Sequence, residues 1–153
     1  MLPKGYSRKN PNSFFTILSY SNNYSSMSSE EFRLDFVACR DLLRKRLTEA
    51  PARIQLVTGP RQVGKSTMLL ELQRELDDCA IYAAADGPEA ALPGFWQRLW
   101  QRAEEHAQVH GSAVLFIDEI QHIADWAARL KAEWDRVWRQ RRRVHVVATG
   151  SSS

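Results

Sequence analysis

The sequence lacks several features that would assign it to a broad class. None of its 153 residues belongs to an apolar run of the roughly 18 residues that a membrane span requires, so we expect no membrane segment. Its two cysteines, Cys39 and Cys79, lack the close spacing of a metal site, and we interpret them as buried, reduced thiols of a cytoplasmic protein. The net charge of +3 permits contact with nucleic acid but does not argue for it.

Acidic residues are absent from the first 29 positions, which makes the N-terminus unlike the rest of the chain. This segment holds eight serines and four asparagines, whereas charges of both signs are dense from Glu30 onward. Three interpretations stay open: a disordered tail, a segment outside the native protein with translation starting at Met27, and an organellar transit peptide. We exclude residues 1–27 from fold prediction and treat 28–153 as one domain with a single core.

From residue 28 onward, the apolar pattern alternates between helix and strand. Ser28 or Ser29 is predicted to cap a first helix, which ends before Pro51. The predicted strands are 53–59, 79–85, 113–118 and 143–150, and the helices between them begin near Lys65, Phe95 and Ile123. Such alternation is typical of an α/β fold, with a parallel sheet and right-handed crossovers.

The stretch GPRQVGKS, residues 59–66, follows the first of these strands and opens a helix. It fits the pattern G-x-x-x-x-G-K-[ST], in which glycines let backbone amides approach a triphosphate. Lys65 would neutralise the β- and γ-phosphates, and Ser66 Oγ would coordinate Mg²⁺. Arg61 either lies exposed or reaches the nucleotide or a partner. The predicted nucleotide-binding residues are Gly59, Pro60, Arg61, Gln62, Val63, Gly64, Lys65, Ser66 and Thr67.

Two acidic residues close the apolar strand 113–118. In parallel sheets, ligands bind at the carboxyl ends of the strands. Asp118 therefore suits the Mg²⁺ shell, and Glu119 suits the polarisation of a water molecule for attack on the γ-phosphate. The alternative is that both are solvated acids of the next loop. A pair of acids favours hydrolysis, whereas a lone aspartate would suit a binding switch equally well.

Thr149 ends the last predicted strand. In the strand order suggested by other proteins with paired acids, this strand lies between the other two strands of the site. Thr149 would then face the γ-phosphate or the attacking water and act in catalysis, with Ser151 as its substitute. The alternative is ordinary turn chemistry, because Thr-Gly-Ser is a common exit from a strand.

Other chemistry-bearing residues give weaker signals. His106 and His110 have the spacing of the H-E-x-x-H motif, but Ala107 stands where its general base would be, so a metal site is not favoured. A basic cluster after the last helix is interpreted as a solvated helix terminus, with a patch for nucleic acid or an acidic partner as the alternative. The cluster comprises Arg139, Arg141, Arg142 and Arg143. The tryptophans are expected mostly in the core.

The segments GPRQVGKST, LFIDEIQHIADWAARLK and VVATGSSS, in this order, resemble the AAA-type P-loop ATPases of bacteria and archaea. The most similar group carries an uncharacterised C-terminal domain after its ATPase core. The resemblance implies a three-layer P-loop NTPase fold, with ATP rather than GTP as ligand and with Mg²⁺. It also implies that residues 59–67 are the Walker A loop, that Asp118 and Glu119 form the Walker B pair, and that Thr149 is a sensor.

One departure from the family is large. Its cores normally have a fifth strand beside the strand that leads into the phosphate loop, whereas only four strands are predicted here. We therefore expect an N-terminal fragment or a truncated reading frame whose first core strand is an open edge. ATP hydrolysis coupled to a missing domain, to a partner or within a homo-oligomer is the leading function. A switch, an inactive interaction fragment and a nucleic-acid-stimulated motor are the alternatives.

Overall fold

Strands and helices alternate along most of the chain, as the apolar pattern predicts. A computed structural model describes residues 15–21 and 30–151. Within these residues the strands are β1 (Phe15–Ser21), β2 (Glu30–Leu34), β3 (Arg53–Gly59), β4 (Ala80–Ala84), β5 (Ala113–Asp118) and β6 (Val144–Ser151). The helices are α1 (Phe36–Leu47), α2 (Lys65–Leu76), α3 (Phe95–His110) and α4 (Trp126–Arg139). The predicted α/β class and the four predicted strands are confirmed.

The strands form one sheet with the order β2-β1-β3-β6-β5-β4. Strands β3, β6, β5 and β4 run parallel, which places their carboxyl ends along one edge of the sheet. Strand β6 lies between β3 and β5, as the strand order of other proteins with paired acids predicts. This order brings the end of the strand before the phosphate loop close to the ends of the strands that carry Asp118 and Thr149.

Helices cover both faces of the sheet and give the domain three layers. Helices α3 and α4 pack on one face, where Trp100 and Trp134 are buried against Leu115 and Val146. Helices α1 and α2 pack on the other face, where Leu43 and Leu69 join the second apolar cluster. All six residues of β5 are buried. A strand covered on both faces has no need for alternating polarity, and this is why its sequence is a continuous apolar run.

The edge of β3 is not open, contrary to our expectation. Strand β1 pairs with it antiparallel, with Ile17 opposite Val57 and Leu18 opposite Leu56. Phe15, Ile17 and Ser19 alternate with less buried residues and point their side chains into the protein. The exclusion of residues 1–27 from the fold is therefore wrong for Phe15–Ser21, while 1–14 and 22–29 lie outside the described residues.

A buried polar cluster fastens β1 to the rest of the sheet. Ser19 Oγ donates a hydrogen bond of 2.8 Å to Gln55 Oε1 of β3, and both side chains are buried. Arg46 of α1 places its Nη1 2.5 Å from each of these two oxygens. Because a buried polar group without a partner costs about 1–3 kcal/mol, these three side chains fix the register of β1 against β3.

The first helix begins later than predicted. Residues 30–34 form β2, which pairs antiparallel with β1, and α1 begins at Phe36. Its cap is Asp35, whose side chain accepts a 2.8 Å hydrogen bond from the backbone N–H of Ala38. The prediction that Ser28 or Ser29 caps this helix is therefore wrong, because Asp35 caps it. The predicted end of this helix before Pro51 is confirmed, because α1 stops at Leu47.

Candidate functional site

The phosphate-loop sequence forms the connection between β3 and α2. Strand β3 ends at Gly59, and α2 begins at Lys65. Gly64 caps the helix with φ = 99°, a left-handed conformation that side chains other than hydrogen adopt at a cost. A Cβ atom at this position would also lie 3.4 Å from Cε2 of Phe36 on α1. The left-handed backbone favours glycine at position 64, as the motif predicts, whereas the contact with Phe36 leaves room for a methyl group.

Lys65 is folded back into its own loop. Its side chain is only 4% exposed, and Nζ donates hydrogen bonds to the carbonyl oxygens of Gly59 (3.0 Å) and Pro60 (2.6 Å). Burial lowers the pKa of the Lys65 ammonium below its ordinary value, while the carboxylates of Glu119 and Asp118 act in the opposite direction. The ammonium group therefore lies inside the curve of the loop, within electrostatic reach of Asp118 and Glu119.

Asp118 is the centre of the polar cluster at the carboxyl edge of the sheet. Its buried carboxylate accepts hydrogen bonds from three hydroxyl groups that come from three different elements. Oδ2 accepts from Ser66 Oγ at 2.5 Å and from the Tyr82 hydroxyl at 2.6 Å, and Oδ1 accepts from Thr149 Oγ1. The fold brings together Asp118, Ser66 and Thr149, all three of which are predicted from the sequence as site residues.

Tyr82 is the member of this cluster that sequence reasoning missed. It lies on β4 and pairs with Phe116, two positions before Asp118 on β5. Burial raises the pKa of its phenol above the ordinary value, and the hydrogen bond to Asp118 acts in the same direction, so the group stays protonated and remains a donor. The only signal in the sequence was a tyrosine near the end of a strand that flanks the acidic strand.

Glu119 has a second set of partners. Its φ of 54° is left-handed, which turns the chain sharply after β5. Ser151 Oγ donates to Oε1 at 2.7 Å, and Gln121 Nε2 donates to Oε2. The backbone N–H of Glu119 donates to Thr149 Oγ1 at 3.0 Å. Thr149 thus connects both acids, because its hydroxyl donates to one side chain and accepts from the backbone of the other.

A comparison with family models identifies the chain. A model described as an AAA domain matches residues 51–153, which is more than half of the sequence. The chain belongs to the AAA domain family. Membership in this family indicates nucleotide binding and activity of the ATPase type. A search of curated proteins finds no match.

The residues of this AAA domain have the chemistry that a magnesium ion needs. A hydroxyl oxygen of Ser66 and a carboxylate oxygen of Asp118 lie within 2.5 Å of each other at the end of the phosphate loop. Magnesium in nucleotide sites is held by one or two carboxylates together with phosphate oxygens and water. In residues 15–21 and 30–151, no three His, Cys, Asp or Glu side chains group into a metal site. A cation would therefore depend on the nucleotide for several of its ligands.

The remaining candidates lie apart from this cluster. Arg61 and Gln62 are exposed on the loop, and His106 Nδ1 is 2.8 Å from the backbone oxygen of Asp78. The arginines at the end of α4 line a cavity of about 510 Å³ at the opposite edge of the sheet, together with Trp138, which is 44% exposed. The other tryptophans, Trp96, Trp100, Trp126 and Trp134, are buried or half-buried. Among the described helices of the AAA domain, none combines the length and apolarity needed to cross a membrane.

Proposed function

We propose that this AAA domain binds ATP together with Mg²⁺ and hydrolyses it. One observation supports the proposal above the others: the phosphate loop, Asp118 and Thr149 come from three distant segments and meet in one hydrogen-bonded cluster. A loop that merely joined a strand to a helix would have no need for an acid and a hydroxyl at its end. The motif, the cluster and the family membership all support a nucleoside triphosphate as the ligand.

Each residue of the site has a distinct role in this proposal. The backbone of residues 59–64 and the ammonium of Lys65 hold the β- and γ-phosphates, and Ser66 and Asp118 hold the cation. Magnesium, when bound, neutralises the charge that develops on the phosphate oxygens. Glu119 accepts the proton of the water that attacks the γ-phosphorus, as the bond to the β-phosphate oxygen breaks. Thr149 orients that water or the γ-phosphate.

Substitution of Glu119 tests the catalytic step. Glu119→Gln keeps the shape of the side chain but removes its basicity, so turnover of ATP should fall by a factor of about 100 or more, whereas affinity for ATP stays within a factor of a few. Glu89→Gln is the matched control, since Glu89 is exposed on the turn Pro88–Ala91 and is not a member of the cluster. Phosphate release and binding of a fluorescent ATP analogue are measured for both variants.

The outcomes separate the proposed ATPase from its alternatives. Slow turnover that Glu119→Gln leaves unchanged would indicate a nucleotide switch. Binding of nucleotide without any turnover would indicate an inactive interaction module. A preference for GTP in competition experiments would contradict the choice of ATP, for which the sequence resemblance is the only support. Loss of ATP binding in Lys65→Ala is expected under each of these alternatives and serves as the positive control for the loop.

We propose further that hydrolysis acts on an attached C-terminal domain, a protein partner or a second copy of the chain. Measuring turnover against protein concentration tests assembly, because a site completed by a neighbouring subunit becomes more active per molecule as the oligomer forms. Unchanged specific activity, together with a monomer in sedimentation at every concentration, would contradict a homo-oligomer.

A nucleic-acid-stimulated motor is the second candidate, favoured by the cavity at the end of α4. Its walls carry Arg139, Arg141, Arg142 and Arg143, and the exposed face of Trp138 offers a surface for stacking. Single-stranded DNA should then raise turnover, and Trp138→Ala should reduce the effect, whereas Trp126→Ala on the same helix should not. Turnover that single-stranded DNA and RNA leave unchanged would contradict this candidate.

A further inference from the structure

The carboxylate of Asp118 is held from both neighbouring strands. Thr149 on β6 donates to Oδ1 from one side, and Tyr82 on β4 donates to Oδ2 from the other. Strand β5, which carries Asp118, lies between β6 and β4 in the sheet. Because each oxygen accepts from a different neighbouring strand, the carboxylate group has little freedom to rotate about its bond to Cβ.

The backbone fixes the distance from Tyr82 to Asp118. The N–H of Ala85, directly after β4, donates a 2.8 Å hydrogen bond to the backbone oxygen of Asp118. The register pairs Ala84 with Asp118, so the two strands end at the same level. A phenol that starts two residues earlier on β4 can span that distance along the sheet, and its hydroxyl lies 2.6 Å from Oδ2.

The oxygen that Tyr82 contacts is also the oxygen that faces the phosphate loop. Oδ2 accepts from Ser66 Oγ, and these two side chains are the ones that we assign to the cation. Loss of a side chain that orients a metal ligand typically lowers the affinity for the metal by about 10- to 100-fold. Tyr82 therefore does more than fill space on β4, because its hydroxyl donates directly to this oxygen.

We propose that Tyr82 is a positioning residue for the cation of the nucleotide site, because its hydroxyl fixes Asp118 Oδ2 beside Ser66. The inference rests on the proposed binding of nucleotide with Mg²⁺. The role of Tyr82 is to position Asp118, whose carboxylate it contacts at 2.6 Å. Its removal should therefore weaken the response to Mg²⁺ and leave metal-free binding of the nucleotide unchanged.

The test compares Tyr82→Phe with the wild-type chain. Binding of a non-hydrolysable ATP analogue is measured by calorimetry in EDTA and at rising Mg²⁺ concentration. For Tyr82→Phe we expect the Mg²⁺ concentration at half-saturation to rise about tenfold, whereas the affinity in EDTA stays within a factor of two. Tyr20→Phe is the matched control, since it deletes the same hydroxyl from an exposed position on β1.

A double-mutant cycle separates positioning from a purely structural role. In an Asp118→Asn background, Tyr82→Phe should cause no further shift in the Mg²⁺ midpoint, because the two residues act through one contact. An additional tenfold shift in that background would show that Tyr82 acts elsewhere and would overturn the inference. Where Tyr82→Phe does not fold, Tyr82→Met replaces it; methionine also lacks a hydroxyl donor for Asp118, so the same shift is expected.

Failure of the inference can be distinguished from failure of the proposed function. A wild-type chain that binds the analogue more tightly with Mg²⁺, next to a Tyr82→Phe variant with an unchanged midpoint, refutes the role of Tyr82 alone. A wild-type chain that binds no nucleotide with or without Mg²⁺ refutes the proposed function on which the inference rests.

Discussion

Ile17 provides a direct test of whether the N-terminal strand belongs to the fold. It lies on β1, opposite Val57 of β3, and its side chain is 0% exposed. It packs in the cluster that includes Leu43 of α1 and Leu69 of α2. A residue in a disordered tail could be changed to alanine without effect on stability, whereas a residue in this environment could not.

The expected magnitude follows from the atoms that Ile17→Ala removes. The change deletes three buried carbon atoms, and at about 0.8 kcal/mol for each the transfer contribution is roughly 2.4 kcal/mol. A cavity that the packed helices fill only partly adds to this value, so we expect a loss of about 3 kcal/mol in the free energy of unfolding. For a domain of this size the midpoint of thermal unfolding should fall by roughly 6–12 °C.

Urea unfolding followed by tryptophan fluorescence measures the loss. Val109→Ala is the control, because Val109 is 77% exposed on α3 and its truncation should change the free energy by no more than about 0.5 kcal/mol. An Ile17→Ala variant as stable as the wild type would refute the assignment of β1 to the sheet. Such a result would favour the interpretation of residues 15–21 as part of a disordered tail, which their composition indicates.

Three other features give predictions of their own. Burial lowers the pKa of His145 to about 4 from its ordinary 6.5, so between these pH values the unfolded chain binds a proton that the folded chain does not. The free energy of unfolding should therefore be at its full value above pH 6.5 and fall by about 2–3 kcal/mol as the pH is lowered to 4. Urea unfolding measures this decrease, which His145→Leu should remove. Burial raises the pKa of Cys39 to about 12, so iodoacetamide at pH 8 should modify the half-buried Cys79 first and Cys39 only on unfolding, as mass spectrometry would show. Gly64→Ala should lower the free energy of unfolding by about 1–3 kcal/mol and also weaken binding of an ATP analogue. Gly111→Ala changes a glycine with a similarly left-handed φ and should lower stability alone, so an equal loss of binding in both variants would contradict the assignment of residues 59–64 as the phosphate loop.

Local patterns were enough to predict the core of the fold. The strand, loop and helix around residues 53–76 carry their signals in adjacent residues: a β-branched run, then glycines, then apolar residues at helical spacing. The same holds for β5, whose unbroken apolar run reflects its burial on both faces. Asp118 could be selected because the carboxyl end of such a strand is where ligands bind, whatever the details of the packing.

Pairings between distant segments could not be read from the same patterns. The hydroxyl of Tyr82 finds Asp118 only through the register of β4 against β5, and no residue near position 82 encodes that register. Strand β1 was missed because the Ser- and Asn-rich composition around it outweighed the short alternation of Phe15, Ile17 and Ser19. The start of α1 was placed too early because two glutamates suit a first helical turn, while the pairing of β2 with β1 outweighs that local preference.

The two neighbours of β3 in the sheet, β1 and β6, lie far apart in the sequence, and this affects the order in which the sheet can form during synthesis. Strand β1 has already been synthesised when β3 emerges from the ribosome, whereas β6 follows about 90 residues later. At typical rates of translation, this interval lasts roughly 5–20 s. During that time β1 is the only one of its two native neighbours with which β3 can pair, so the N-terminal strand can shield one side of it from premature contacts. The phosphate loop becomes a complete site only after β6, which carries Thr149, is inserted.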